Sequence, residues 1–189
     1  MTTENKFSID YAELILANEW FRAVAAMSPD KEGISRPAYS SKEIEVLEFL
    51  AEQARNAGLN VSYDAAQNAL FCLPKDADAE KYILVGSHVD TVPMGGNFDG
   101  LAGVLAGLLC LFRAKASNSH FLRPVKVIAM RGEESAWFGP CYIASKALMG
   151  VLSETELASL HKTDGRSLAD HMADVGIKMQ PIQTGTPLL

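Results

Sequence analysis

The stretch Gly86-Ser87-His88-Val89-Asp90-Thr91-Val92-Pro93-Met94-Gly95-Gly96-Asn97-Phe98-Asp99-Gly100 sets one imidazole and two carboxylates on a glycine-rich segment. His88 can offer a neutral ring nitrogen to a metal. Asp90, two residues on, lies on the same side of an extended backbone and can accept the other ring N–H, the usual partner of a histidine ligand. Asp99 follows a loop made pliable by Gly95, Gly96 and Gly100 and can supply a hard oxygen ligand. Plainer readings stand beside these: a hydrogen-bonded core histidine, and an aspartate that caps a helix.

A second group, Arg131-Gly132-Glu133-Glu134, adds two adjacent carboxylates. Neighbours on extended backbone point in opposite directions, so one Glu can ligate a metal while the other faces a different part of a cleft. An isolated Glu-Glu pair reads first as a solvated acidic turn. What favours chemistry is the context. Each group follows an apolar run, Tyr82–Gly86 (YILVG) or Val125–Met130 (VKVIAM), so two strands deliver His, Asp and Glu to one edge of one sheet. Divalent cations offset carboxylate repulsion and lower the pKa of bound water from about 15.7 towards ~7. A carboxylate left free can take that proton and pass it to a leaving nitrogen.

The elements that must position these groups follow from hydropathy patterning. Ile9 to about Met27 reads as a helix with Leu14, Ile15, Ala17, Trp20, Phe21, Val24 and Ala25 inward. Ser40-Ser41-Lys42-Glu43 forms a capping box ahead of a helix that turns Ile44, Leu47, Leu50, Ala51 and Ala54 inward and stops at Gly58. Asn60–Tyr63 and Ala69–Leu73 flank a turn and predict a hairpin. The run at Tyr82–Gly86 predicts a strand buried on both faces. Leu101–Ala114 is an apolar helix with Cys110 as a core residue, and Val125–Met130 is a second buried strand. Helices are predicted at Ile143–Met149, Glu154–Leu160 and Ser167–Val175, with His161, His171 and His120 as surface residues. The segment from Gly176 to Leu189 has no clear period and reads as an interruption of a domain. The order predicts an α/β fold with a mixed, partly parallel sheet flanked by helices.

Composition narrows the field. The chain has 189 residues, 48% hydrophobic and 21% charged, a balance that builds one globular core. Its net charge of −6 without a basic block argues against a nucleic-acid partner. No apolar run is long enough for a membrane span, and the polar, acid-bearing N-terminus MTTENKFSIDYAEL lacks a signal peptide's basic start and apolar centre, which makes the cytoplasm the expected location. Three widely spaced cysteines, Cys72, Cys110 and Cys141, predict neither a disulfide framework nor an all-cysteine zinc site. The glycine loop lacks the G-K-[ST] of a phosphate-binding loop, and no G-x-S-x-G is present.

At GSHVDTVPMGGNFDG (Gly86–Gly100), GVLAGL (Gly103–Leu108) and VKVIAMRGEESAWFG (Val125–Gly139) the sequence resembles the zinc-dependent exopeptidase/amidohydrolase superfamily. Within it the resemblance is to the branch of N-carbamoyl-L-amino-acid amidohydrolase and allantoate amidohydrolase. ISRPAYS (Ile34–Ser40), DAAQNAL (Asp64–Leu70) and the run from Asp164 support it. The resemblance implies two divalent ions (Zn, Mn, Co or Ni), with His88 on one, Asp99 bridging and Glu134 on the other. It implies Glu133 as general acid/base on a bridging water and Asp90 as the group orienting His88. The implied reaction is hydrolysis of a linear, non-peptide C–N bond in a small N-carbamoyl or ureido substrate. The implied architecture is the N-terminal part of a zinc-exopeptidase-like catalytic domain over residues 1–189. Two further histidine ligands, the rest of that domain and a domain for homodimer formation would lie outside the chain. Trp137 stands where the family often has Arg, which leaves substrate contacts there open. An aminopeptidase or deacylase of the same superfamily would use the same ligands. A polypeptide holding only part of the ligand set would be non-catalytic.

Overall fold

A computed structural model describes residues 11–187. In chain order the elements are α1 (Tyr11–Met27), α2 (Ser41–Asn56), β1 (Asn60–Tyr63), β2 (Ala69–Cys72), β3 (Ile83–His88), α3 (Leu101–Ala116), β4 (Val125–Met130), α4 (Ile143–Leu148), α5 (Glu154–Leu157), α6 (Leu168–Asp174) and α7 (Met179–Gln183). The four strands form one mixed sheet in the order β1-β2-β4-β3. The β1–β2 hairpin and the β2–β4 pair are antiparallel, while β3 and β4 run parallel from Ile83↔Val125 to His88↔Met130. A parallel pair needs a crossover, and α3 supplies it. The C-terminal ends of β3 and β4 therefore finish side by side.

One core joins α1, α2 and α3 to the sheet through Trp20, Val24, Leu50, Phe71, Leu105 and Val127. A second, smaller core gathers α4, α6 and α7 on the segment after β4, through Phe138, Ile143, Leu168, Met172 and Ile182. The helical and strand periods place most predicted residues inside, with several exceptions. The start predicted at Ile9 lies outside the described residues, and Leu14 and Ile15 are exposed, the apolar packing of α1 on its neighbours starting at Leu16. In α2, Val46 is buried where Ile44 is half-buried. Cys110 is exposed, because the helical period sets it opposite the buried Leu101–Leu105–Leu108 stripe of α3. All three cysteines are free. The segment after Gly176, whose sequence shows no clear period, contains α7, whose Ile182 packs in the second core.

Strand β3 departs most from expectation. Among the described residues it is one of the sheet's two edges, with β1 at the other, and Ile83, Leu84 and Val85 are 51%, 36% and 39% exposed rather than buried on both faces. Only β4 pairs with it.

Ser40 caps α2 through its hydroxyl, which accepts from Glu43 N at 3.3 Å. The other half of the predicted capping box is absent. Glu43 turns into the protein, fully buried, and accepts from Tyr39 N (2.8 Å), Arg131 Nε (2.6 Å) and Gly132 N (3.1 Å). Burial pushes this carboxyl up, against the pull of the adjacent Arg131 guanidinium. The pair ties the start of α2 to the end of β4. Removing one partner of a buried ion pair typically costs about 3–5 kcal/mol, whereas replacing both by apolar groups is often neutral. Glu43→Gln is therefore expected to lose stability of that order in urea denaturation, and Glu43→Met combined with Arg131→Met to recover most of it.

Candidate metal centre

His88 ends β3 opposite Met130 of β4, and the ladder runs one step further through Val89 N to Met130 O at 2.9 Å. Beyond it Asp90 is fully buried. His88 Nδ1 lies 3.0 Å from Asp90 O and 3.3 Å from Asp90 Oδ1. A carbonyl oxygen can only accept, so Nδ1 carries the proton and the lone pair of Nε2 faces outward. Nε2 lies 3.7 Å from Glu133 Oε2 and 3.8 Å from Asp99 Oδ1.

Asp90 does more than meet the imidazole. Its Oδ1 accepts from Glu133 N at 3.0 Å and its Oδ2 from Glu134 N at 2.9 Å. One carboxylate thus holds the backbone of both glutamates. The two side chains do not diverge as an extended strand would require. Gly132, at φ +57°, breaks the pleat, and ligating atoms of His88, Glu133 and Glu134 all fall within 4.8 Å of one another. A Cβ at Gly132 would meet the Tyr39 ring at 2.7 Å, so this turn also needs glycine for space.

Asp99 is not a helix cap. Gly100 occupies the cap position of α3 with no side-chain hydrogen bond, and the Asp99 side chain is 75% exposed beside His88. Gly100, at φ +67°, lets the helix start against the imidazole, since a Cβ there would lie 2.6 Å from ring atoms of His88.

Residue-by-residue reading of the sequence missed Arg36. It is fully buried and donates from its guanidinium to Val89 O and to Ser28 Oγ (3.0 Å), while its backbone N–H donates to Thr91 Oγ1 (3.0 Å) and its carbonyl accepts from Thr91 N (3.0 Å). Burial lowers its pKa to about 10 against the charges of Glu43 and Asp90, so it remains a cation beneath the site. Val89 and Thr91 stand more than fifty positions away, and a lone Arg among small residues carries no local signal. Trp137 also turns inward, donating from Nε1 to Thr91 O at 2.7 Å. His120 is exposed as predicted, whereas His161 and His171 are not: their side chains are 10% and 15% exposed, packed against Trp137 and Phe138.

The cluster opens on a cleft of about 330 Å³ lined by Gly86, Ser87, Met130, Tyr142 and Ser145 beside His88 and Glu133. Burial, then the charge of Glu133, pushes the Glu134 carboxyl upward. Burial opposes the His88 imidazolium, but Asp90 and Glu133 outweigh it and bring the ring to about 8. The guanidinium groups of Arg36 and Arg131 are engaged below, with Val89 O and Glu43. The imidazole and the two glutamate carboxylates gathered within 4.8 Å, with Asp99 outside that group at 3.8 Å from the ring, fit a divalent transition ion, whose charge offsets the repulsion of the carboxylates.

The chain is 34% identical over 148 residues to the N-carbamoyl-L-amino acid amidohydrolase of Geobacillus stearothermophilus, covering 77% of this chain and 35% of that protein. It is 30% identical over 147 residues to the allantoate amidohydrolase of Escherichia coli, covering 78% and 36%. A hydantoinase/carbamoylase family amidase from Burkholderia vietnamiensis superposes with a TM-score of 0.76 at 26% identity, over 95% of this chain and 43% of that one. The chain spans little more than a third of the length of the curated relatives it matches. The model of one family matches residues 68–171, more than half of the sequence and including every candidate ligand. This chain belongs to peptidase family M28.

Proposed function

We propose that the chain is the N-terminal part of the catalytic domain of a metal-dependent amidohydrolase acting on the C–N bond of a small N-carbamoyl amino acid or related ureido compound. The observation that carries this reading is the double hydrogen bond from Glu133 N and Glu134 N to Asp90, which gathers two glutamates around His88. The relatives named for N-carbamoyl amino acids and allantoate support the substrate class.

His88, Asp99 and Glu134 would hold the divalent ions. Such ions supply Lewis acidity at a substrate carbonyl. Asp90 holds the His88 tautomer so that Nε2 faces the ligand set. Glu133 takes the proton of the attacking water at a carboxylate oxygen and delivers it to the leaving nitrogen. The cleft beside Tyr142 and Ser145 gives a small substrate room next to these groups. The family's description as peptidases favours a second reading, in which the bond cleaved is a peptide.

A substrate panel on the metal-loaded whole protein decides between the two: turnover of N-carbamoyl amino acids or allantoate without turnover of dipeptides is expected, and the reverse would overturn the ureido assignment. Glu133→Gln should lower kcat by about 10²–10⁴ while bound metal, measured by elemental analysis, is retained. Glu134→Ala should lose metal as well as activity. The proton on His88 makes a further prediction for chelated protein. Its folded pKa of about 8 lies above the ordinary 6.5, so the gain is complete below pH 6.5 and lost as pH rises through about 8. With the side chain 9% exposed, urea denaturation should detect a loss of at most about 2 kcal/mol between pH 6 and 9, diminished in Asp90→Asn.

A further inference from the structure

A second group of ligating atoms lies outside this centre. His161 and Asp164 sit in the turn between α5 and α6, and His171 projects from α6. The turn is closed by His161 N to Arg166 O (2.8 Å) and Gly165 N to His161 O (3.0 Å). Arg166 N donates to Asp164 Oδ1 at 2.9 Å, a bond that holds this carboxyl below the usual range and hence ionised. Around that one oxygen stand His161 Nδ1 and His171 Nε2, each at 3.3 Å. Ligating atoms of all three residues lie within 4.8 Å of one another.

One observation separates this arrangement from an ordinary hydrogen-bonded triad, and a second is compatible with a metal. The first is an orphaned atom. The His161 side chain is nine-tenths buried, and its Nδ1 is buried with no hydrogen-bond partner although Asp164 is near. A buried polar atom without a partner is costly, and a cation would satisfy it. The second is spacing. Zinc bonds of about 2.0–2.1 Å in a tetrahedron set ligand atoms about 3.3 Å apart, and the two ring nitrogens lie 3.3 Å from Asp164 Oδ1, with His171 Nε2 also 3.1 Å from Oδ2. Aromatic packing fixes the imidazoles: Trp137 stacks on His161 (5.9 Å, 14°), and Phe138 lies 5.0 and 5.1 Å from the two rings.

We propose that His161, Asp164 and His171 form a second divalent-metal site, of two imidazoles and one carboxylate. This composition suits a transition ion such as Zn²⁺ or Ni²⁺ and not Ca²⁺ or Mg²⁺, which take oxygen ligands. Asp164, with a side chain 43% exposed, leaves the remaining coordination position open to water. The role is structural. Lys162 N donates to Trp137 O at 3.0 Å, and Trp137 reaches Thr91 O, so an ion here ties α6 to the segment that follows Glu133 and Glu134. The inference is independent of the proposed hydrolase reading.

The test removes the first centre and asks what still binds. In the double variant His88→Ala/Glu134→Ala, equilibrium dialysis against Zn²⁺ is expected to retain about one equivalent, and adding Asp164→Asn or His171→Ala should abolish it. Ni²⁺ titration of the double variant should quench the Trp137 emission through the stacked His161, and Trp137→Phe should remove that quenching while dialysis still finds the ion. Asp164→Asn changes no side-chain size, so circular dichroism can establish that it folds. No zinc retained by the double variant would overturn the site, and so would equal retention with and without Asp164→Asn. Failure of the first centre has its own signature: wild type and double variant would then bind the same amount.

Discussion

The Asp90 carboxylate is the constraint on which the site depends. It is fully buried, its two oxygens are taken by consecutive amides of the β4 loop, and the same residue meets the imidazole at the end of β3. A charged acceptor binds amides more strongly than a neutral one. Leaving it without donors in this setting would cost more than any single surface contact could restore. The loops after the two strands are therefore not independent, and the positions of Glu133 and Glu134 follow from where β3 places Asp90.

A buried anion needs company, and the fold supplies it in balanced form. Arg36 and Arg131 are the cations, Glu43 and Asp90 the anions, and each is at most 3% exposed. Glu43 binds Arg131 from the first turn of α2, while Arg36 draws the segment around Ile34–Ser40 over Val89 and Thr91. An apolar replacement of such charges is often as stable. What the charged set adds is position: the two strand ends, the start of α2 and the loop before it are held in one register. Glycine completes the arrangement where space runs out, at Gly100 against His88 and at Gly132 against Tyr39.

The smaller core extends this logic past β4. Trp137 and Phe138 follow the two glutamates within a few residues, and they pack against His161 of the α5–α6 turn and His171 of α6. Trp137 then reaches back to Thr91 O. The acidic loop is thus held from both directions, by Asp90 at its start and by an aromatic pair at its end.

Much of the frame was legible in the sequence. Side chains repeat every two residues along a strand and every 3.6 along a helix, so local pattern alone located the hairpin, both apolar strands and the helix between them. The strand order also implied that His88 and the Glu133–Glu134 pair would share one sheet edge. Tertiary structure decided what pattern cannot encode. Glu43 looked like half of a capping box but serves a partner 88 residues away, and the Asp90 bonds span 43 and 44 residues. The exposure of β3 depends on which strands lie beside it, and the burial of His161 depends on Trp137 stacking over it. Periodicity is a property of neighbours in sequence. Burial, the direction of a carboxylate and the partner of a charge belong to neighbours in space, and the packing of the sheet and helices selects those.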